Sequence, residues 1–297
     1  MSKKKLQTHQ KIAKTLVSVL VLAFFIVPSF LTVRWAVSVF LVKDPRKVAT
    51  IQQLQVRAMD KTEGARPFEV PLISVTFDDG WESVYTAALP ILQRLGIPTT
   101  QYIITTTLSS YSYVSAGQIQ SMQEAGHEIA AHTITHPDLT TLAQSELIKE
   151  LSEPQVELEK KFGKIDDFTS PYGAYNAHTL SAISTYYRSQ KNAEGDPEAD
   201  PLLSLNLKDN FNPLNMKSYS VRSNTTIKEL QILIKAAQQN NGWLILTYHQ
   251  IDDTGETFSV TPENFEEQML LLNTTPTRIT TVGRVLDAVL PDYKRGQ

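Results

Sequence analysis

The chain has 297 residues, of which 41% are hydrophobic and 20% are charged, and its formal net charge is −3. This length and composition allow one large domain plus an appendage. The small negative charge and the lack of a basic patch beyond the N-terminus argue against a nucleic-acid partner, and no feature predicts a protein partner. Because the chain has no cysteine, disulfides, thiol catalysis and thiolate zinc sites are excluded. Any metal must therefore be bound by His, Asp or Glu.

The N-terminal segment has the pattern of a membrane anchor. Residues 1–14 are basic, and the run 16–33 contains no charged residue. That run is near the lower limit for a helix that spans a bilayer, and the apolar patch 35–42 could extend it. We therefore predict a single-pass anchor over 15–42, with the basic flank in the cytoplasm and the remaining chain outside. The alternative is a cleaved signal peptide and a secreted protein, although the apolar run is longer than such peptides use.

Residues 43–70 read as a stalk, and 71–297 as the catalytic domain. From residue 71 onward, strand-like runs alternate with helix-like segments, which is typical of a parallel α/β sheet or barrel. Pro154 predicts a kink or a break in its helix, and 189–215 is expected to be a long loop. The predicted strands are 72–77, 99–105, 128–131, 165–168, 218–221, 243–248 and 278–281. The predicted helices are 83–95, 116–125, 142–162, 177–184, 226–239, 261–272 and 282–290.

Polar residues follow three of these strands. The first strand ends on Asp78 and Asp79, the third leads into His132 and His136, and the strand 243–248 is followed by His249. The carboxyl ends of parallel strands meet at one edge of the sheet, where barrel enzymes place their active sites. Two carboxylates and two histidines four residues apart can form a divalent-metal site with one carboxylate left over as a base. The plainer alternative is an ordinary turn after a strand and surface histidines.

With these residues in view, residues 71–290 resemble the polysaccharide deacetylases with a NodB-homology domain (carbohydrate esterase family 4). Four separated blocks occur in that family's order: 76–80 (TFDDG), 132–137 (HTITHP), 168–175 (FTSPYGAY) and 246–249 (LTYH). The resemblance implies a distorted (β/α)₇ barrel and a divalent metal, most often Zn²⁺. It also implies hydrolysis of linear amides, namely the removal of acetyl groups from N-acetylated glycans.

Carried over position by position, the resemblance gives most of these residues a role. The implied metal ligands are Asp79, His132 and His136. The implied catalytic groups are Asp78 as general base, His249 as general acid and the backbone N–H of Tyr172 at the oxyanion. The implied substrate contacts are Pro171, Tyr172, Trp81 and Leu246.

Some positions depart from the family pattern. Many relatives have an arginine near position 169 that orients the base, whereas this chain has Thr169; some branches that act on exported polysaccharides also lack it. The aspartate that supports the acidic histidine has no clear counterpart. The residue that often lines the acetyl pocket, two positions before the last histidine, is Thr247 rather than an apolar residue.

These features predict a metal-dependent hydrolase at the cell envelope. Its expected substrate is a polysaccharide or oligosaccharide that contains N-acetylglucosamine. Two alternatives stay open. A catalytically inactive glycan-binding barrel is favoured by Thr169 and by the missing aspartate, and an O-acetyl esterase would use the same site on a better leaving group.

Overall fold

The computed structural model describes residues 67–193 and 200–293. The predicted basic N-terminus (1–14) and anchor (15–42) lie outside these residues, as does most of the predicted stalk (43–70). Among the helices in the described ranges, none is long and apolar enough to cross a bilayer.

The strands of the described ranges belong to one large sheet and one small one. They are β1 Leu72–Phe77, β2 Thr99–Ile103, β3 Glu128–Ala131, β4 Asp167–Thr169, β5 Ser189–Lys191, β6 Leu205–Asn206, β7 Tyr219–Ser220, β8 Trp243–Tyr248, β9 Gln250–Ile251, β10 Ser259–Val260 and β11 Arg278–Ile279.

The large sheet has the order β5-β4-β3-β2-β1-β8-β6. Its pairings are parallel except for β6, which runs antiparallel to β8. In addition, β11 pairs with the start of β1 and β7 with the end of β8. A bridge between Lys191 and Met216 continues the pairing from β5 towards β7. The predicted α/β class is therefore confirmed, and its parallel strands form a half-barrel.

Helices connect most of these strands, as expected for parallel pairing. Polar N-cap side chains begin several of them, including Ser115, Asn176, Thr226, Thr261 and Thr281, because their oxygens accept from N–H groups that lack a helical partner. The helices are α1 Leu89–Leu95, α2 Ala116–Glu124, α3 Gln144–Phe162, α4 Ala177–Tyr186, α5 Ile227–Asn240, α6 Pro262–Thr274 and α7 Val282–Val289.

Three local expectations differ from the structure. The helix predicted from residue 83 begins with a π-helical segment, Val84–Ala88, before α1. Helix α3 contains no break at Pro154, which is buried with the apolar face of that helix. The segment predicted as a long loop, 189–215, contains the short strands β5 and β6, because sheet pairing overrides the weak strand propensity of polar residues.

The two faces of the central strands differ in polarity. Val75 and Leu246 are register partners on β1 and β8, and both side chains lie in the main hydrophobic core. Thr76 and Thr247, also register partners, carry hydroxyls 3.1 Å apart. Because successive side chains alternate between faces, Thr76 and Thr247 lie on the opposite face, which is apolar at the start of these strands and polar towards their carboxyl ends. Residues two positions further along each strand extend this polar face towards the carboxyl edge of the sheet.

Candidate active site

The candidate site is built on loops at the carboxyl ends of the strands. Four of its non-glycine residues have left-handed backbones: Asp79 (φ 74°), Thr133 (φ 67°), His136 (φ 61°) and Tyr172 (φ 60°). This region costs an L-residue roughly 1–2 kcal/mol, and such strain concentrates at functional sites. The surrounding sheet therefore holds these loops in a conformation that they would not adopt alone.

Asp79, His132 and His136 converge on one point. Asp79 Oδ1 lies 3.4 Å from His132 Nε2 and 3.5 Å from His136 Nε2. The ligand atoms of the three residues lie within 4.8 Å of one another. Two imidazole nitrogens and one carboxylate oxygen at this spacing form a donor set that suits a divalent cation such as Zn²⁺. The spatial convergence of these three residues, which the sequence predicted, is thus present.

The hydrogen bonds around this triad fit a metal site. His132 Nδ1 lies 2.9 Å from the Thr169 carbonyl oxygen. Since a carbonyl only accepts, Nδ1 carries a hydrogen, which leaves Nε2 as the ring nitrogen that could bind a metal. Asp79 Oδ2 accepts from the indole N–H of Trp81 at 3.0 Å. Oδ1 is buried and has no hydrogen-bond donor within the described ranges. A bound cation would supply the partner that this buried oxygen lacks.

The triad is electrostatically suited to bind a cation at neutral pH. Burial opposes ionisation of Asp79, but the neighbouring histidines, His132 above all, outweigh it and hold the pKa of Asp79 well below its usual range. Burial, together with His132, lowers the pKa of His136. A charged carboxylate at this point suits the binding of a cation.

Asp78, the neighbour of Asp79 in the chain, is paired with a buried lysine. Lys191 Nζ donates to Asp78 Oδ2 at 2.9 Å and to the Thr247 hydroxyl at 3.1 Å. Asp78 Oδ1 is buried, and in the described part of the chain it has no hydrogen-bond partner. One oxygen of Asp78 is therefore held in place, and the other is available to accept a proton.

His249 follows β8 beside the same carboxylates. Burial lowers the pKa of His249, and the negative charges of Asp78 and Asp79 act in the opposite direction. Its ring lies 4.8 Å from that of Phe258. Its Nδ1 is buried with no hydrogen-bond partner in the ranges that the structure covers. No carboxylate accepts from this Nδ1 in those ranges, in agreement with the missing aspartate noted in the sequence.

The residues expected to contact substrate are placed differently from one another. Tyr172 is exposed, its hydroxyl donates to the His136 carbonyl at 3.3 Å, and its ring meets the His136 ring edge-on. Pro171 is buried in the turn that carries Tyr172. Trp81 stacks on Tyr113 with ring centroids 4.5 Å apart. Tyr172 and Trp81 thus border the triad.

Leu246 lies apart from these residues. It is fully buried in the hydrophobic core, on the face of β8 away from the polar residues. The structure does not bring Leu246 to the site; its neighbour Thr247 occupies the polar face instead. The alternation of side chains along β8 explains this, since His249 and Thr247 share one face and Leu246 takes the other.

Sequence reasoning missed two groups that support the site. Lys191 lies in the segment predicted as a loop, so nothing in the pattern directed it towards Asp78. Glu150 of α3 accepts from the backbone N–H groups of Ile134 and Thr135 at 2.7 and 3.0 Å and so fixes the loop between the two histidines. Its place in an ordinary amphipathic helix gave no signal of this contact.

Comparison with known proteins agrees with this architecture. Residues 65–187 match the sequence model of the family described as polysaccharide deacetylase. The chain is 29% identical over 122 residues to "Putative polysaccharide deacetylase YxkH" of Bacillus subtilis, covering 41% of this chain and 43% of that protein. It is 28% identical over 114 residues to "Chitooligosaccharide deacetylase" of Sinorhizobium fredii, covering 37% and 51%.

Among solved structures, the fold is similar to the Xyl-CE4 domain of a multidomain xylanase from the hindgut metagenome of Trinervitermes trinervoides. The TM-score is 0.53 at 20% identity, over 74% of this chain and 91% of that one. The alignments span about half or less of the curated relatives named above. The aligned segments support the presence and the fold of this one domain.

Proposed function

Residues 65–187 belong to the polysaccharide deacetylase family, and from that premise we propose that this chain is a metal-dependent N-deacetylase. Its substrate would be a polysaccharide or oligosaccharide that contains N-acetylglucosamine. The observation that carries the proposal is the convergence of Asp79 Oδ1 on His132 Nε2 and His136 Nε2, beside a second carboxylate and a third histidine.

The residues would divide the work of amide hydrolysis as follows. Asp79, His132 and His136 would hold a divalent cation such as Zn²⁺, which when bound supplies Lewis acidity and lowers the pKa of a water molecule. Asp78 would accept a proton from the attacking water at its free Oδ1. His249 would donate a proton to the departing amine nitrogen. Water adds to the acetyl carbon, the C–N bond breaks, and acetate and a free amine result.

The remaining features of the site fit substrate binding. The backbone N–H of Tyr172 would stabilise the negative charge that develops on the acetyl oxygen. The exposed ring of Tyr172, with Trp81 and Pro171, would border the sugar that carries the acetyl group, since aromatic rings supply flat apolar contact area.

We also infer that seven parallel strands close the complete barrel through the Lys191–Met216 bridge.

The cellular setting belongs to the same proposal. The basic flank and apolar run of the N-terminus support an anchored protein whose catalytic domain faces the outside of the membrane. An exported N-acetylated polysaccharide would meet the domain there. Neither the anchor nor this location rests on the described residues.

Acetate release tests the proposed activity. The full-length chain would be treated with a chelator and assayed on N-acetylglucosamine oligomers, with and without added Zn²⁺. We expect acetate and free amine in equal amounts, loss of activity after chelation and recovery with the metal. The variant His132→Gln should stay inactive when Zn²⁺ is restored, because it lacks a ligand.

The same assay separates the alternatives. Release from an O-acetylated glycan but not from an N-acetylated one would favour the esterase. Binding of glycan without any acetate release would favour an inactive barrel and overturn the proposal.

A further inference from the structure

We propose that Lys191 is the positioning residue of the general base: it holds one oxygen of Asp78 so that the other faces the reaction. This inference rests on the proposed function and adds a residue to it. No sequence block that carries the family resemblance contains Lys191, which is the last residue of β5.

The burial of Lys191 is the first argument. Its side chain is 1% exposed, and the ammonium is shared among Asp78 Oδ2, the Thr247 hydroxyl and the face of the Tyr102 ring, 5.1 Å from the ring centroid. A lysine is almost never fully buried unless it is paired. Because a buried ion pair brings little net stability, a role at the site gives this pair a better reason to exist than stability does.

The register of the sheet is the second argument. Thr169 of β4 and Lys191 of β5 are direct partners across the strand pair, and the Thr169 hydroxyl donates to the Lys191 carbonyl at 3.2 Å. The resemblance implies that relatives orient their base with an arginine near position 169. In this chain the cation comes from the adjacent position on the next strand, so the departure at Thr169 leaves the base with a cationic partner.

The third argument is that the two oxygens of Asp78 have different surroundings. Lys191 occupies Oδ2, while Oδ1 is buried and has no hydrogen-bond partner among the described residues. The Thr247 hydroxyl, which is also within hydrogen-bond distance of Thr76 and Ser218, limits how far the ammonium can move. A carboxylate held by one oxygen keeps a fixed direction for the other, and a general base needs that geometry.

Kinetics of Lys191 variants test the proposal. For Lys191→Met in the full-length Zn²⁺-loaded protein, we expect kcat on N-acetylglucosamine oligomers to fall about 10–100-fold, with KM changed less than about threefold. The metal content should equal that of the wild type, since Lys191 makes no contact with the triad. In Lys191→Ala, ethylammonium should restore part of the lost kcat, and sodium at equal ionic strength should not.

The control removes a lysine–carboxylate pair elsewhere. Lys164 pairs with Asp166 just before the amino end of β4, so Lys164→Met should leave kcat within about twofold. A kcat for Lys191→Met within about threefold of the wild type, at normal metal content and normal unfolding, would overturn the proposal. Loss of kcat that ethylammonium does not restore in Lys191→Ala would also count against it.

Two further outcomes are informative. If Lys191→Met does not fold, the double variant Asp78→Asn/Lys191→Met removes both charges. If the double variant folds, the unpaired charge of Asp78 caused the loss of folding in Lys191→Met, which supports the Lys191–Asp78 pair. If the double variant does not fold either, the proposal is overturned. If the wild-type protein releases no acetate from any N-acetylated glycan, the proposed function fails. If the wild type is active and Lys191→Met has the same kcat, the inference about Lys191 is overturned and the proposed function stands.

Discussion

The indole N–H of Trp81 donates to Asp79 Oδ2 at 3.0 Å, while Asp79 Oδ1 faces the two histidines. Trp81 thereby holds one oxygen of this carboxylate and leaves the other directed at the histidines. Its ring is in turn fixed by stacking on Tyr113. The orientation of the proposed metal ligand thus depends on an aromatic pair that does not itself bind the metal.

Replacement of Trp81 should weaken metal binding. In Trp81→Phe the ring can still stack on Tyr113, but Asp79 loses its hydrogen-bond donor. We expect an affinity for Zn²⁺ lower by about tenfold, because partners that orient a ligand typically contribute 10–100-fold. Competition with a chromophoric chelator measures this affinity. Tyr113→Phe is the matched control and should bind Zn²⁺ as the wild type does. Equal affinities for Trp81→Phe and the wild type would contradict this reading.

His249 should affect the chemical step and leave metal binding intact. Removal of a general acid typically costs 10²–10⁴-fold in rate, so His249→Gln should lower kcat by about that factor while retaining full Zn²⁺ content. His178 is exposed on α4, and His178→Gln serves as the control with unchanged kcat. Loss of bound metal in His249→Gln would instead place His249 among the ligands.

Stability should depend on pH through Glu128. Burial, followed by the charge of Asp167, raises the pKa of Glu128 from 4.5 to about 8. Its Oε2 accepts from the Gly283 N–H and the Thr100 hydroxyl at 2.8 and 2.7 Å, and the Arg188 guanidinium forks onto Asp167 nearby. The folded state therefore binds a proton that the unfolded state has released.

The sign follows from that difference in bound protons. The contribution of Glu128 to the free energy of unfolding is complete below its unfolded-state pKa of 4.5. It is lost as pH rises towards the folded-state pKa of about 8, at up to about 1.4 kcal/mol per pH unit. Gln cannot ionise. The free energy of unfolding of Glu128→Gln should therefore rise relative to that of the wild type between pH 5 and pH 8. Urea unfolding at several pH values measures this. Glu124→Gln, at an exposed position of α2, should have the same pH dependence as the wild type. Parallel curves for Glu128→Gln and the wild type would contradict the prediction.

Two glycines offer a paired test of the turn that carries Tyr172. Gly173 has φ +65°, and a Cβ there would lie 2.8 Å from the Ala193 backbone nitrogen. Gly173→Ala should lower the free energy of unfolding by about 1–3 kcal/mol. Gly117 in α2 has nothing within 4 Å of a Cβ, so Gly117→Ala should raise it by about 0.5–1 kcal/mol. Thermal unfolding of both variants checks the pair, and equal shifts would contradict the argument.

The sequence predicted the parts of the site that follow from strand ends. Asp79 and His132 could be placed together because parallel strands present their carboxyl ends at one edge. Lys191 could not be placed, because β5 has only three residues, Ser-Gln-Lys, and its strand character comes from pairing rather than from its own pattern. The one available signal was Thr169, where the expected cation was missing and a substitute could have been sought.

Leu246 and Pro154 show two other limits of pattern reading. Leu246 belongs to the last family block, but period-two alternation assigns its side chain to the core once His249 is assigned to the site. Pro154 suggested an interruption, yet the buried face of α3 keeps the helix continuous. Tertiary packing outweighs a local cost of about 3 kcal/mol for a proline inside a helix.

The left-handed backbones at Asp79, Thr133, His136 and Tyr172 have a thermodynamic consequence. Their free energy is part of the folding free energy of the chain. A cation that binds ligands arranged by the fold carries less of the entropic cost of ordering them. The affinity for metal should then depend on the residues that hold these loops as well as on the ligands themselves.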